Sequence, residues 1–539
     1  MPGTKNKYST GQSIVLDSSG NVYIAGDFEG TVDFDPGPDT MNLSSNGFKD
    51  AFVQKLDSNG HLLWVKQMGG ILEDRASTLT ADTDGNIYVT GVFRETVDFD
   101  PNSGITNLSS SGNKDIFIQK LDANGQLLWV KQLSGEGRKE SYSTTLDAHG
   151  DLYTVGTYFL TVDFDPGPGI VNHSALSGDD TFILKLDADG NFIWIKNLGG
   201  SGCSLTAYSV NIDGSGNIYT AGGFSGSCDF DPAEPVRKKN SLGLDIFIHK
   251  LDMNGDFLWV KHIKGTREHR AKSITTDSHG NVYTTGEFRD TIDFDPGTDT
   301  HFLTTAHGHS KIFVQKLDPE GNFLWAKQLG GPSDDFANSI TINPRGYVLS
   351  SGTFWGTADF DPGPGTHTLT SRGSRDIYLH KMDPNGHFKS VQQIRGTEYD
   401  LISSIITDSV GNIYATGAFG GIADLDPGEG KMNVASIGYH DAFVLKLSPC
   451  PLFATDIDEQ ASRNSLHIYP NPSRNGIFQI RSGQPIERIR LYDLSGRLLK
   501  NQDYPPLILN LQAYKSGWYV CQIQASSGQV IAKKIAIRK

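Results

Sequence analysis

The stretch that decides the fold is TVDFDPG, residues 31–37, in which Asp33 and Asp35 stand two apart and run straight into Pro36 and Gly37. Nearly the same phrase returns with its first aspartate at Asp98, Asp163, Asp229, Asp293, Asp359 and Asp424, in steps of 65, 65, 66, 64, 66 and 65 residues. Self-similarity at so regular a period means one supersecondary unit stacked on copies of itself. The phrase is architectural before it is chemical.

Upstream of the phrase, SIVLD (strand A) is followed by the turn Ser18-Ser19-Gly20 and by NVYIAGDF (strand B). The same text recurs as TLTADTDGNIYVTGVF, SVNIDGSGNIYTAGGF, SITTDSHGNVYTTGEF and SIITDSVGNIYATGAF. Alternating β-branched and aromatic residues around an Asp/Ser turn closed by Gly predict a β-hairpin. Downstream, DAFVQKLD at 50–57 (strand C), the turn Ser58-Asn59-Gly60 and HLLWVKQMGG (strand D) predict a second one. Four antiparallel strands per repeat, seven times over, cannot each bury both faces alone. An open stack would leave terminal apolar faces bare, so the expected fold is all-β, a closed seven-bladed β-propeller over residues 1–448. Trp64, Trp129, Trp194, Trp259 and Trp325 in strand D, and Phe52 with its counterparts in strand C, read as packing between sheets.

Strands A, B and C occur seven times but strand D six, because after DAFVLKLS the chain leaves for Pro449-Cys450-Pro451. The missing strand is expected upstream of residue 1, since chain ends that share one blade remove an open sheet edge. MPGTKNKYSTGQS shows no charged segment followed by an apolar one, so no secretory signal is visible and the N-terminus reads as incomplete. Strand D of the sixth repeat is worn, with Ser390 in the Trp slot and Gln392 in the Lys slot.

The chain has 539 residues and a net charge of −15. Residues 466–539 hold 11 Lys and Arg against 3 Asp and Glu, a net of +8, which leaves −23 for residues 1–465. So acidic a body argues against nucleic acid, whose phosphates need clustered positive charge. No run of 18 apolar residues is present to span a bilayer as a helix.

The short A–B and C–D turns lie at one end of each repeat; the B–C and D–A links, with every copy of the aspartate phrase, lie at the other. Binding surfaces sit on the long loops of rigid scaffolds, so the long-insert end is the expected functional face. The aspartates admit two readings. In one, Asp35 before Pro36 makes an Asx turn and Asp33 accepts nearby backbone N–H groups. In the other, the pairs Asp33/Asp35, Asp98/Asp100, Asp163/Asp165, Asp229/Asp231, Asp293/Asp295, Asp359/Asp361 and Asp424/Asp426 support calcium, a hard cation that takes carboxylate oxygens. Asp50, Asp115, Asp180, Asp245, Asp376 and Asp441 open strand C, with Lys311 breaking the series, and Lys55, Lys120, Lys185, Lys250, Lys316, Lys381 and Lys446 follow; ion pairs or strand-end hydrogen bonds are expected. Cys203 and Cys228 flank the A–B hairpin of the fourth repeat and are expected to face each other as a disulfide, given an oxidising compartment. The alternative is an apolar substitution, since Cys228 fills the slot of Val32, Val97 and Val162.

From residue 466 the text changes to short alternating strands with turns at Asn475-Gly476, Ser495-Gly496 and Ser516-Gly517, enough for a small β-sandwich after a linker at 449–465. This segment resembles the C-terminal sorting domain of the bacterial type IX secretion system, through Tyr469-Pro470-Asn471-Pro472 with Gly476, Tyr492-Asp493 with Gly496-Arg497, Gly517-Trp518-Tyr519 and Lys533-Lys534. Cys521, where that family has an apolar strand residue, is a departure. The resemblance implies export through the outer membrane, to a secreted or surface-attached location, with the translocon and a sortase as partners. The body is similar to bacterial propeller repeats of the SBBP kind, through its D-x-F-x-x-K-L-D-x-x-G, D-x-x-G-N-x-Y-x-x-G and D-F-D-P pieces; that resemblance implies the fold and no function.

Three functions fit. The favoured one is a non-catalytic propeller that binds a glycan or protein ligand through the long-insert face. The others are a secreted carbohydrate-active hydrolase or lyase, and a structural surface-layer component. Near-identical blades weigh against an enzyme, since catalysis needs one asymmetric constellation and no such grouping stands apart from the repeat in the sequence.

Overall fold

The computed structural model describes residues 8–231, 237–305, 308–428, 430–448, 467–469, 473, 477–481, 486–493, 497–503, 508–525 and 530–537. The chain divides into two compact bodies, Met1–Leu447 and Ser448–Lys539. Every regular element among the described residues is a β-strand.

In the first repeat Tyr8–Leu16, Val22–Asp33, Asn42–Leu56 and Leu62–Met68 pair antiparallel in that order. The order recurs from the A strands Arg75–Ala81, Lys139–Leu146, Cys203–Ile212, Arg270–Thr276 and Phe336–Ile342. The seventh copy has three strands, Leu401–Thr407, Ile413–Phe419 and Asp441–Leu447. Each A strand packs against the A strand of the next repeat, and the seventh packs against the first. Ser9 N–H donates to His440 O at 2.9 Å across that junction.

The repeat motif explains itself in the A–B hairpin. Asp17 Oδ1 accepts the N–H of Ser19 and Asn21, both at 2.9 Å, while Oδ2 takes Asn21 Nδ2 at 2.7 Å and the Tyr23 hydroxyl at 3.1 Å. Gly20 closes the turn at φ 79°, where a Cβ would be strained. One aspartate thereby fixes the turn, the Asn and the Tyr of D-x-x-G-N-x-Y.

The Phe of D-F-D-P is a core residue. Phe34 stacks edge-on to Phe28 at 5.1 Å and tilts against Phe52 at 4.8 Å, and Phe93/Phe99/Phe117 repeats the trio. Burying one such ring contributes about 1.5–3 kcal/mol and pins the insert to its sheet. Each core lies between two sheets: Tyr23, Ala25 and Val53 of the first repeat meet Leu79, Ile87 and Phe93 of the second. The cluster of Ile14, Ile24, Phe52 and Tyr414 does the same between the first and seventh.

At the short-turn end the lysines and tryptophans form a clasp. Lys55 Nζ and Trp64 Nε1 both donate to Ala123 O in the next C–D turn, at 2.9 and 3.1 Å. Lys250 with Trp259 does so to Pro319 O, and Lys316 with Trp325 to Pro384 O. Lys446 of the seventh repeat makes the same bond to Ser58 O of the first, at 2.9 Å.

In the second body His467–Tyr469, Ile477–Arg481 and Ile508–Asn510 form one sheet, and Ile486–Tyr492, Leu498–Asp503, Gly517–Ala525 and Val530–Ile537 another. Phe478, Ile480 and Leu509 of the first pack with Ile489, Leu491, Ile523 and Ile535 of the second. The linker 449–465 lies outside the described residues.

Candidate functional site

The aspartates of the repeated phrase close turns. Asp33 Oδ1 accepts the N–H of Asp35 at 3.1 Å and of Met41 at 2.8 Å, and Asp35 Oδ1 accepts that of Gly37 at 2.7 Å. Asp98, Asp163, Asp229, Asp293, Asp359 and Asp424 likewise take the N–H groups two and eight residues on. Asp100, Asp165, Asp295, Asp361 and Asp426 each take the N–H two residues on, and Asp231 lies 3.8 Å from the Arg237 guanidinium. Among the described residues no three His, Cys, Asp or Glu side chains gather as a metal-holding set.

The carboxylates that open strand C make strand-end hydrogen bonds. Asp50 Oδ2 accepts Asn46 N–H at 3.0 Å and Gln67 Nε2 at 2.6 Å, and Asp376 repeats this with Arg372 and Gln393. The residue that opens the next repeat's strand A varies, and so does its electrostatics. Asp115 and Lys139 form an ion pair of 2.9 Å with both side chains 0% exposed, and Lys311 pairs with Asp335 at 3.3 Å. At two junctions both residues are acids, Asp50 with Asp74 and Asp376 with Asp400. Burial pushes the Asp74 carboxyl up to about 7 and the Asp400 carboxyl up to about 8, with the neighbouring aspartate adding to each.

Cys203 and Cys228 are joined as a disulfide, with Cα atoms 5.0 Å apart. They do not face each other in register: Cys203 pairs with Gly226 and Cys228 with Lys239, so the bond runs diagonally. One residue of the two-residue offset comes from a bulge in strand A, which shifts by one the pairing that turn-centred counting assumes.

That bulge leads to a site the repeat pattern hides. In every A strand the pairing with strand B skips one residue: Gln12, Ser77, Tyr142, Tyr208, Lys272, Asn338 and Ser403. The glycine of Y-x-x-G in strand B makes the bulge practicable. A Cβ on Gly222 would stand 1.8 Å from Thr206 O, and one on Gly286 1.9 Å from Arg270 O. A bulge re-aims its side chain, and all seven bulge residues line one pocket of about 590 Å³. Arg75, Arg270, Phe336 and Leu401, two residues upstream in their strands, line it too, with Glu287, Arg375 and Tyr399. Arg375 and Tyr399 belong to the linking end of the repeats, so the pocket lies toward the long inserts.

Within the pocket Glu287, 5% exposed, lies 3.8 Å from Arg270 and 4.0 Å from Lys272. Burial raises its carboxyl, and those two cations oppose the shift. Lys272 Nζ sits 4.1 Å over the Tyr208 ring, which meets Tyr142 edge-on at 5.4 Å. Arg375 stacks over Phe336 at 4.5 Å and Tyr399 at 5.6 Å. The inserts carry exposed Phe48, Ile105, Ile170, Leu242, Phe302 and Ile437. The seven bulge positions form an asymmetric set apart from the repeat, and it holds no His/Ser/Asp or His/Cys grouping. Its signal was present: the seven bulge positions recur at the repeat spacing, yet carry five residue types where the flanking motif barely changes.

In the tail, Asp493 Oδ1 accepts Arg497 N–H at 3.0 Å and Oδ2 lies 3.2 Å from Arg497 Nε, closing the turn between two strands. Gly517 begins a strand with φ 155°, and Lys533, exposed, and Lys534 lie in the last strand. Pro470, Asn471, Pro472, Gly476 and Gly496 lie outside the described residues. Cys521 is buried, its thiol pushed up to about 12 by burial, and fills an apolar slot in the core.

Residues 467–538 match the family described as the secretion system C-terminal sorting domain. The chain carries a type IX sorting domain. Residues 63–92 match the beta-propeller repeat family SBBP. The sorting domain marks the protein for export to the cell surface or secretion, and implies interaction with the secretion machinery. No helix among the described residues is long and apolar enough to cross a membrane. Two curated relatives are similar in part. WD repeat-containing protein L264 of Acanthamoeba polyphaga mimivirus is 22% identical over 420 residues, 64% of this chain and 30% of that protein. Regulatory protein FlaEY of Caulobacter vibrioides is 28% identical over 120 residues, 22% of this chain and 12% of that one. The chain thus spans less than a third of the length of either. Among solved structures, PorZ, a surface component of the type-IX secretion system of Porphyromonas gingivalis, is 11% identical with full coverage of both chains and a TM-score of 0.18. The extracellular domain of the one-component system BT4673 from B. thetaiotaomicron is 11% identical, with 98% of this chain and 97% of that one covered, at a TM-score of 0.15. Superpositions this loose transfer no function.

Proposed function

We propose that this is an exported, surface-attached, non-catalytic protein whose body is one closed seven-bladed β-propeller and whose tail is a small β-sandwich. The body binds a glycan or protein ligand on the long-insert face, centred on the pocket among the A strands. The seven bulge residues carry this reading. The turn motif, the core aromatics and most of the clasps are written nearly alike from repeat to repeat, whereas the residues aimed into the pocket differ, as a single ligand met from seven sides requires. The clasp from Lys446 to Ser58 and the packing of the seventh A strand on the first support closure. A binding role is favoured over glycoside hydrolysis because that chemistry uses two facing carboxyl groups, and the pocket lining holds Glu287 alone, engaged by two cations.

The test is display of the whole protein on glycan arrays and against extracts of surface proteins, beside Tyr142→Ala and Tyr208→Ala variants. Ligand capture that the variants abolish, with an unchanged melting temperature, is the expected result. Equal capture by wild type and variants places the ligand elsewhere and overturns the reading.

A further inference from the structure

Resting on that reading, we infer that the pocket takes a carboxylate-bearing sugar unit, the end or a branch of an acidic polysaccharide. The first observation is charge. Arg75, Arg270, Lys272 and Arg375 line the pocket against one lining carboxylate, Glu287. Arg75 is held from outside by Glu140 at 3.0 Å, and Glu287 answers Arg270 and Lys272 together. Among the described residues Arg375 makes no ion pair; its guanidinium rests on two aromatic rings. A positive mouth in a body whose residues 1–465 carry −23 is a local reversal of sign, and a concave site of one sign concentrates ligands of the other. A guanidinium on a ring face keeps its planar fork of N–H donors available, a fork that matches a carboxylate with two parallel bonds.

The second observation is the rest of the lining. Gln12, Ser77, Asn338 and Ser403 enter from four repeats and offer donors and acceptors at the height of the bulges, which suits a ligand rich in hydroxyls. Tyr142 and Tyr208 meet at 61°. They do not form the parallel slot that grips a flat base, but each presents a ring against which the C–H face of a pyranose can rest. No helix N-terminus is present among the described residues to cradle a phosphate. At about 590 Å³ the space falls in the range of about 300–1,000 Å³ that small-ligand clefts occupy.

The inference is tested by isothermal titration of the full chain with tetragalacturonate, with the matching neutral tetragalactose, and with sodium sulfate. The acidic oligomer is expected to bind, and the neutral one to bind at least tenfold more weakly. Arg375→Gln should weaken the acidic oligomer by roughly tenfold, the scale of one charged hydrogen bond, with an unchanged melting temperature; Lys272→Gln should weaken it similarly while also lowering the melting temperature, since Glu287 loses a partner. A neutral oligomer that binds as tightly, with Arg375→Gln silent and Tyr208→Ala damaging, overturns the charge inference and leaves the binding reading intact. Tetragalacturonate binding that neither Tyr208→Ala nor Arg375→Gln alters overturns both. Sulfate that competes at equal concentration reduces the site to an anion hole and overturns the sugar assignment. Failure of both oligomers to bind also overturns it, while the array and extract experiment decides the wider reading.

Discussion

The clasps at the short-turn end and the ring of bulge residues at the centre are built from the same seven repeats by opposite rules. The clasp writes Lys and Trp again and again, and in the first, fourth and fifth repeats both donate to one carbonyl of the next C–D turn. The ring writes Gln, Ser, Tyr, Tyr, Lys, Asn and Ser. A clasp between equivalent sheets has one geometric solution, so its residues recur. A pocket that meets one ligand has no internal symmetry, so its residues diverge. On the binding reading proposed above, repetition in the clasps marks what holds the chain together, and variation at the bulge position marks what it does.

Mutations at the joints should therefore cost stability and those in the ring should cost binding. The largest expected effect is at the buried pair of the second and third repeats. Lys139→Met leaves Asp115 in a site without exposure and should lower unfolding free energy by about 3–5 kcal/mol in urea. A loss under 1 kcal/mol would mean the joint tolerates an uncompensated charge.

Next comes the disulfide, which closes a sequence separation of 25 residues. Cys203→Ala with Cys228→Ala should cost about 3 kcal/mol by the loop-entropy account, and wild-type protein in reductant should lose the same amount. If reductant changes nothing, the bond contributes no constraint to the body.

The joints with two acids sharpen the comparison through pH. Asp74 and Asp400 are 1% and 0% exposed, and their folded carboxyls titrate near 7 and 8 rather than near 4. The folded state holds these protons more tightly than the unfolded chain, so the stabilisation is fully present below pH 4. It is lost as pH rises through about 7 and 8. Melting temperature should fall between pH 5 and 9, and Asp74→Asn with Asp400→Asn should remove most of that slope and raise the melting temperature at pH 9. An unchanged slope in the double variant would assign the pH dependence to other groups.

Ring substitutions that keep the backbone, Ser77→Ala and Ser403→Ala, should shift stability by less than about 0.5 kcal/mol. A larger loss would make the ring part of the scaffold. The smallest effect expected is that of calcium. The inner oxygens of the repeated aspartates already accept backbone N–H groups, so calcium in place of chelator should move the melting temperature by under about 1 °C. A rise of several degrees, the mark of a ligand bound to the folded state, would assign the ion to these turns.

Much of the body was legible because its signals are local. A turn aspartate, an alternating strand and a fixed period are set by residues within one repeat, and D-x-x-G-N-x-Y names the groups that bond in the hairpin. The tail was legible for a different reason, a resemblance carried by short motifs whose proline and glycine turns lie outside the described residues. The diagonal disulfide was half legible: the residues were named, but the register was counted from the turn and missed the bulge.

By itself the sequence determined an all-β chain of seven repeats with a sorting tail, because hairpin chemistry and periodicity act over a few residues at a time. Only the tertiary structure decided that one residue per A strand leaves the pairing register and that Arg270, Glu287, Arg375 and Tyr399 share a pocket. In the sequence these residues are spread over more than 120 positions and sit in strands and links that look like all the others. Their meeting depends on the packing of each A strand against the next and of the seventh against the first, contacts between elements that no local pattern encodes.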